Sequence, residues 1–570
     1  MIKRIKIGTG SCGLAAGAAE VYDFFKENIS DIEIIGVGCI GHCYAEPLVE
    51  VETDDGSVFF EKVEPKQAFI NKILNLEESS RLSFRHERSD REMIKVTKLA
   101  GRIDPTSIDE YIQNDGYTAL KKALEMQPID VINEVKTSGL RGRGGAGFPT
   151  GLKWSFLHDQ KSPEKVLICN ADEGDPVAFM DRSMMESVPH QVLEGMLIAA
   201  HATGATQIFI YCRAEYPLAI KHLKIAIKDI INRGLNNING RELTIKIKEG
   251  AGAFVCGEET AMIHSLEGSR GTPRFRPPYP TDSGFHGLPT MINNVETFAN
   301  IPVLINEGGA EFAKIGTENS KGTKLFALAG DLKYPGLVEV PMGITLREVV
   351  YDIGGVEEGS IKAVQIGGPS GGCIPAEHFD VRIDYDSLKS LGAIMGSGGL
   401  IFIGNDRCMV ETARYFLDFT ARESCGKCTF CRVGTKRMLE TLENITHGNG
   451  RAEDLDFLQD LGEKIIKGSL CGLGQSAPNP VLTTLRYYRH EYERHVIDKR
   501  CDALVCNDLV RVFIDKTNCI ECGLCIKNCP VDAISSDFII DDDICTRCNS
   551  CIEVCPKNTI SRIAGGTASV

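Results

Sequence analysis

Apolar residues alternate with polar ones along Ile2–Ile7 and cluster again over Ile32–Val37, and the intervening Ala15–Phe25 carries apolar positions at helical spacing. Leu48–Val51 followed by Asp54-Asp55-Gly56 reads as a strand entering a hairpin turn, so residues 1–85 are expected to form a small α/β unit. From 86 to 323, apolar strand-like runs are separated by glycine-dense blocks at Gly139–Gly151, Ala171–Arg182, Gly250–Glu259 and Gly268–Pro280. Such blocks mark tight turns or places where backbone approaches a ligand. Residues 324–404 are strand-rich and end in Gly396-Ser397-Gly398-Gly399. Residues 405–506 are helical in pattern, over Met409–Phe419, Thr435–Glu443 and Phe457–Ile466, and 507–570 is short-period cysteine sequence. The expected fold class is multidomain, α/β and α+β.

Length agrees with that division, because 570 residues exceed what one core serves and imply three to five domains. An apolar fraction of 43% describes an ordinary globular chain, and a net charge of -15 argues against a phosphate backbone as partner. No run of about 18 apolar residues occurs and the start is too interrupted for an export signal, so a cytoplasmic location is expected. The 22 cysteines bunch at short spacings, which favours metal over a disulfide scaffold.

Cys519-x2-Cys522-x2-Cys525-x3-Cys529-Pro530 recurs as Cys545-x2-Cys548-x2-Cys551-x3-Cys555-Pro556. Three close thiolates wrap one [4Fe–4S] cubane while the fourth, redirected by proline, serves the other cluster. That rule assigns Cys519, Cys522, Cys525 and Cys555 to one cluster, and Cys529, Cys545, Cys548 and Cys551 to the second. Two zinc knuckles are the competing use of eight thiolates. Upstream, Cys425, Cys428 and Cys431 repeat the spacing without a near fourth, and Cys471 is placed to complete a third [4Fe–4S] site.

His495, Cys501 and Cys506 lack a cubane spacing. They read either as three zinc ligands awaiting a fourth, or as surface thiols near a helix-end histidine. Cys169, Cys212, Cys256, Cys373 and Cys408 stand singly in apolar surroundings and read as buried small hydrophobes. Cys12, Cys39 and Cys43 are one ligand short of a [2Fe–2S] set.

The segment Arg141–Trp154 is an anion and ring cradle: glycines let backbone N–H groups converge, Lys153 adds charge, and Phe148 and Trp154 offer flat surface. It is not a dinucleotide fingerprint, which would need a strand before it and a helix opening within it. Asn170-Ala171-Asp172-Glu173 and Gly257-Glu258-Glu259-Thr260 supply acceptors for ribityl or ribose hydroxyls. Structural turns in an unusual α/β domain are the bland account of the same glycines.

Residues 60–500 resemble the NADH-oxidising flavoprotein subunit of respiratory complex I and of soluble NAD-linked hydrogenases and formate dehydrogenases. The resemblance rests on Gly139–Trp154, Cys169–Glu173, Gly252–Thr260, Leu266–Pro280, Asn293–Thr297, Glu423–Arg432 and Leu470–Gly474. With both ends added, the whole chain looks most like the beta subunit of multimeric, electron-bifurcating [FeFe]-hydrogenases. This implies a thioredoxin-like unit (1–85), an FMN and NADH-binding domain (86–323), a ubiquitin-like domain (324–404), a helical [4Fe–4S] domain (405–506) and a two-cubane ferredoxin tail (507–570).

Carried over residue by residue, the resemblance implies that Gly142, Gly144, Lys153, Asn170, Asp172, Asn293, Asn294 and Thr297 bind FMN. Glu173 and Asp175 flank the flavin and nicotinamide, Phe148 and Phe156 hold adenine, Glu259 reads the adenosine ribose, and Arg276 and Tyr279 complete the NAD(H) site. Asp175 departs from the family, in which the respiratory form has glutamate, and Phe254 replaces a common tyrosine. Cys12, Cys39 and Cys43 match three of four ligands in the thioredoxin-like ferredoxin, the first being absent near Lys6 or Ile7, so a [2Fe–2S] remnant with no stable cluster, or a labile one, is expected.

The implied activity is that of an NAD(H)-dependent diaphorase, exchanging hydride with FMN and single electrons with [4Fe–4S] clusters. The implied partners are a small thioredoxin-like [2Fe–2S] subunit, a larger catalytic subunit such as an [FeFe]-hydrogenase, and ferredoxin. A formate dehydrogenase diaphorase and a non-catalytic iron–sulfur relay are the alternatives. Intact Lys153, Asp172, Glu173, Glu259 and Asn293 favour the enzyme.

Overall fold

In the computed structural model, which describes residues 1–77 and 89–565, the alternating N-terminus forms strand Ile2–Gly8. It pairs parallel with Glu33–Val37 and antiparallel with Val49–Thr53, which continues through a hairpin into Gly56–Phe60. The helix expected over Ala15–Phe25 comes in two pieces, Ser11–Ala15 and Ala18–Asn28. Gly17, at φ 99°, separates them because its left-handed backbone ends one helical run before the next begins. The boundary placed at 85 lies outside the described residues.

A second sheet runs Thr290–Asn294, Val166–Ala171, Gln207–Arg213, Thr244–Gly250, with every pair parallel. Its inner strand reads Val-Leu-Ile-Cys-Asn-Ala, nearly continuous apolar sequence, as expected of a strand covered on both faces. The outer strand Thr244–Gly250 alternates isoleucine with lysine and stays half exposed. Helix Pro189–Thr203, buried along its whole length, packs against this layer with Val295–Glu307. The first opens on proline, whose missing N–H costs nothing at a helix start, and stops at Gly204 with φ 75°. Each buried leucine or isoleucine here contributes roughly 1.5–3 kcal/mol.

These sheets belong to a unit built from Met1–Gly359, Val364–Gly368 and Ala376–Phe402. The same unit holds the antiparallel pair Thr323–Gly330 and Gly336–Pro341, with Gly399–Phe402 parallel to the first of them. A second unit is built from Ser360–Ala363, Pro369–Pro375 and Ile403–Val570, so the stretch 324–404 contributes to both.

In the second unit, helices Met409–Arg422, Thr435–Thr446, Glu453–Gly468 and Asn479–Tyr487 bury Val410, Leu417, Leu442, Leu458 and Val481 against one another. The tail adds one two-stranded sheet, Val510–Ile514 with Ile560–Ala564, over a core whose members include its cysteines. No helix among the described residues is long and apolar enough to cross a membrane.

Candidate functional site

The glycine loop and the acidic pieces meet at the carboxyl ends of the parallel sheet, where open α/β sheets hold their ligands. Asn170 stands opposite Asn294 and Cys169 opposite Asn293 in neighbouring strands. The loop is held from below: the Arg143 amide donates to Thr297 Oγ1 at 2.9 Å, and the Tyr385 hydroxyl donates to the Gly142 carbonyl at 2.9 Å. A Cβ at Gly144 would lie 3.0 Å from the Asn294 side chain, so the absence of a side chain permits this closeness. Asn294 caps helix Val295–Glu307 by accepting from the Thr297 amide, while its own amide donates to Asp181.

Asn170 donates to the Gly257 carbonyl at 2.9 Å and accepts from the Asp172 amide. Trp154 corrects the expectation of flat exposed surface. It is wholly buried and donates its indole N–H to Asn293 Oδ1 at 3.1 Å, orienting a strand-end amide instead of facing a ring.

On the outer side, Glu259 lies between two cations, Arg276 at 2.6 Å and Lys153 at 3.4 Å. Phe148 and Phe156 are each 42% exposed, with centroids 6.3 Å apart, and Tyr279 is also exposed, so all three rings remain accessible to a ligand. Glu258 caps the helix beginning at Glu259, which fixes where the Glu259 carboxylate starts.

Inside this rim, Glu173 is buried and accepts from the Asp181 and Arg182 amides, both at 3.1 Å. Burial pushes its carboxyl up to about 7 against the pull of those amides. Asp175 is raised to about 6, again by burial, and Ser397 opposes the rise by donating to Oδ2 at 2.6 Å. Phe254 packs over Gly174, where an added Cβ would approach its ring to 2.6 Å.

The helix that holds Glu173 also reaches the N-terminal thiols. Arg182 comes to 4.0 Å from Cys12 Sγ, Glu186 accepts from the Ser11 amide and hydroxyl, and Ser187 Oγ accepts from the Cys39 amide at 3.0 Å. Cys12 and Cys43 hydrogen-bond one another, chiefly through which Cys12 is lowered to about 7. Ile7, near the missing first ligand, belongs wholly to the apolar core. The residues present therefore do not fit a four-thiolate [2Fe–2S] site.

In the second unit, Cys425, Cys428, Cys431 and Cys471 gather where the helices meet. Burial first, and then the Cys428, Cys471 and Cys425 thiols, push Cys431 up to about 11, and Ser424 Oγ sits 3.2 Å from its sulfur. In the tail, one cavity is lined by Cys519, Cys522, Cys525 and Cys555, and another by Cys529, Cys545, Cys548 and Cys551. Each takes three cysteines from one repeat and one from the other, a set of soft donors that fits an iron–sulfur cubane.

The fate of Cys408 corrects two readings at once. It is no isolated hydrophobe, and His495, Cys501 and Cys506 are not surface groups: all four are buried, with ligand atoms within 4.8 Å of one another. Cys408 Sγ lies 3.4 Å from His495 Nε2 and 3.8 Å from Cys506 Sγ, and Nε2 lies 3.4 Å from Cys506 Sγ. Tetrahedral zinc, with sulfur at about 2.3 Å and nitrogen at about 2.05 Å, sets S···S edges near ~3.8 Å and S···N edges near ~3.5 Å. The donor set fits that ion. His495 Nδ1 donates to the Glu491 carbonyl at 2.7 Å, which points Nε2 at the sulfurs. Hydrogen bonding, first with Cys408 and then with Cys506, draws Cys501 toward thiolate, while the hydrogen bonds that Cys506 makes to Cys408 and Cys501 hold the proton on Cys506.

Residues 135–303 match the Nuo51 FMN-binding domain, 411–495 the NADH-ubiquinone oxidoreductase-F iron-sulfur binding region, and 512–535 and 538–561 the 4Fe-4S binding domain. The chain is 54% identical over 446 residues to NADP-reducing hydrogenase subunit HndC of Solidesulfovibrio fructosivorans, covering 77% of this chain and 91% of that one. It is 43% identical over 401 residues to the F 2 subunit of NADH-quinone oxidoreductase from Rhizobium meliloti, covering 69% and 95%. The crystal structure of NAD+-reducing [NiFe]-hydrogenase in the H2-reduced state superposes with a TM-score of 0.65 at 32% identity, over 87% of this chain and 85% of that one.

These matches correct the narrower resemblance to the [FeFe]-hydrogenase beta subunit, since the solved hydrogenases they bring in are of the [NiFe] type. The partners drawn from it, a small [2Fe–2S] subunit, an [FeFe]-hydrogenase and ferredoxin, are withdrawn with it. The physical reason is plain. The motifs serve nucleotide, flavin and iron–sulfur chemistry, which carries no signature of the metal on which hydrogen is handled.

Proposed function

Because the chain belongs to the family of NAD(H)-linked flavoprotein subunits shared by NADH-quinone oxidoreductases and hydrogenases, as an oxidoreductase subunit with FMN- and [4Fe–4S]-binding domains, we propose that it is the diaphorase of a [NiFe]-type hydrogenase complex. It exchanges hydride between NAD(H) and FMN, and single electrons with its clusters. The observation that supports this best is the convergence of Lys153, Asn170, Asp172, Asn293 and Asn294 at one end of the parallel sheet.

Bound FMN supplies the conversion between two-electron hydride chemistry and one-electron transfer, which the cubanes continue. The chain's own contribution is placement. Gly142 and Gly144 let backbone approach the flavin phosphate, Lys153 adds positive charge, and Asn170, Asp172, Asn293, Asn294 and Thr297 hold hydroxyls and ring edges. Phe148 and Phe156 grip adenine, Glu259 takes the ribose hydroxyls while Arg276 and Lys153 hold it in place, and Tyr279 covers the outer edge. Glu173 and Asp175 stand on the nicotinamide side.

Cys425, Cys428, Cys431 and Cys471 would ligate the first cubane, and the two tail quartets the others. Cys408, His495, Cys501 and Cys506 would hold structural zinc, closed to substrate because all four positions are filled by protein.

The test is anaerobic purification of the intact complex with flavin and metal analysis. FMN retention, NADH-driven reduction of an artificial acceptor and no fewer than about twelve irons per complex, the share of this chain's three cubanes, are expected. A protein that neither keeps FMN nor reduces the acceptor defeats the proposal.

A further inference from the structure

The loop Gly396-Ser397-Gly398-Gly399 comes back to the carboxyl edge of the parallel sheet and meets Asp175. Ser397 Oγ donates to Asp175 Oδ2 at 2.6 Å, and among the described residues it is the one hydrogen-bond donor to that carboxylate. The loop itself is tightly constrained. Lys324 Nζ donates to the Ser397 carbonyl at 2.6 Å, and the same ammonium holds the Arg143 carbonyl at 3.2 Å and Glu296 at 2.8 Å.

Both Lys324 and Glu296 are buried, which strengthens their pairing and makes either costly to strand alone. Backbone meets backbone on the other sides. A Cβ at Gly145 would lie 3.0 Å from Gly396, one at Gly396 would lie 2.5 Å from Gly367, and one at Gly368 would lie 2.6 Å from the Asp175 carboxylate. Ser397 is thus tied, through Lys324, to the backbone of Arg143 in the candidate flavin loop.

A carboxylate has two oxygens, each able to accept more than one hydrogen bond. Ser397 occupies one, and a fixed donor there sets the direction in which the other points. We propose that Ser397 is a positioning residue for the nicotinamide end of the nucleotide. It anchors Asp175 by Oδ2 so that Oδ1 is presented to the carboxamide N–H of NAD(H). This rests on the reading of Asp175 as the nicotinamide-side carboxylate. Ser397 acts on the ligand only through Asp175, so its effect is confined to nucleotides that carry nicotinamide.

The experiment uses the FMN-loaded full chain, an artificial acceptor, and ADP-ribose, which lacks nicotinamide, as competitive inhibitor. Ser397→Ala is expected to raise the KM for NADH about tenfold, the scale of one hydrogen bond to a charged group, and to leave inhibition by ADP-ribose unchanged. Ser397→Thr, which keeps the hydroxyl, restores the KM. Asp175→Asn reproduces the loss, and adding Ser397→Ala to it changes nothing further.

If Ser397→Ala leaves the KM unmoved while Asp175→Asn raises it, the positioning role is overturned and the reading of Asp175 stands. If Asp175→Asn leaves the KM unmoved, that reading falls and takes the positioning role with it. Equal weakening of ADP-ribose, or loss of FMN from Ser397→Ala, also overturns the proposal by assigning Ser397 to general support of the cradle.

Discussion

Cys408 and Cys506 stand 98 residues apart in the chain and bring their sulfurs to 3.8 Å. Cys408 begins helix Met409–Arg422, His495 lies in the last turn of helix Arg489–Val496, and Cys501 and Cys506 follow in the link to the tail. A metal shared by these four closes a loop nearly as long as the helical region itself.

Replacing Cys408 with serine is therefore expected to lower zinc by one equivalent per chain and to destabilise the helical unit by several kcal/mol, on the order of 3 or more. Elemental analysis and thermal unfolding measure the two effects. Cys373→Ser, at another buried cysteine outside the quartet, serves as the control and should leave zinc content unchanged.

Glu259, in the proposed nucleotide site, is the shared acceptor of Lys153 and Arg276. Glu259→Gln should weaken NADH binding by about ten- to 150-fold, the range for a lost charged hydrogen bond, and reduce FMN retention much less. Calorimetric titration with NADH and flavin quantification after gel filtration compare the two. Equal losses would remove Glu259 from the nucleotide site.

Cys428→Ser should leave reduction of FMN by NADH intact and stop electrons from passing beyond it. Rapid-mixing absorbance separates the flavin step from cluster reduction, and EPR of the reduced protein counts the clusters reached. Normal reduction of the tail clusters in this variant would place their supply elsewhere.

Glu173 carries a pH signature. Burial raises its pKa in the fold to about 7, whereas an unfolded glutamate titrates near ~4.3. Between those values the folded chain keeps a proton that the unfolded chain releases, so this group's contribution to stability falls as pH rises and levels off above the folded value. Glu173→Gln should flatten the decline in melting temperature between pH ~5 and ~7.5. Thermal unfolding of both proteins across that range, at constant ionic strength, gives the slopes.

What could be read beforehand follows the range of the interactions. The ferredoxin tail was legible because its ligands recur within a few residues and a proline marks each crossing. The flavin domain was legible because long glycine and acidic strings occur in a fixed order.

Three features needed the fold. Cys408 has no spacing relation to His495, since two sequence-distant helices bring them together. Trp154 looked like a stacking surface because an aromatic next to glycines says nothing of which way it faces. The Gly396–Gly399 loop was visible as a turn, but its contact with Asp175 is made across more than 200 residues. The [NiFe] type of the similar solved hydrogenases was hidden for another reason, because nucleotide, flavin and iron–sulfur motifs say nothing of that metal.

The crossed arrangement of the tail cysteines makes the two repeats inseparable. Each cavity borrows its last thiol from the opposite repeat, so neither half could be deleted, exchanged or inherited by itself without opening both cavities. The smallest piece of the tail on which selection can act is therefore the pair.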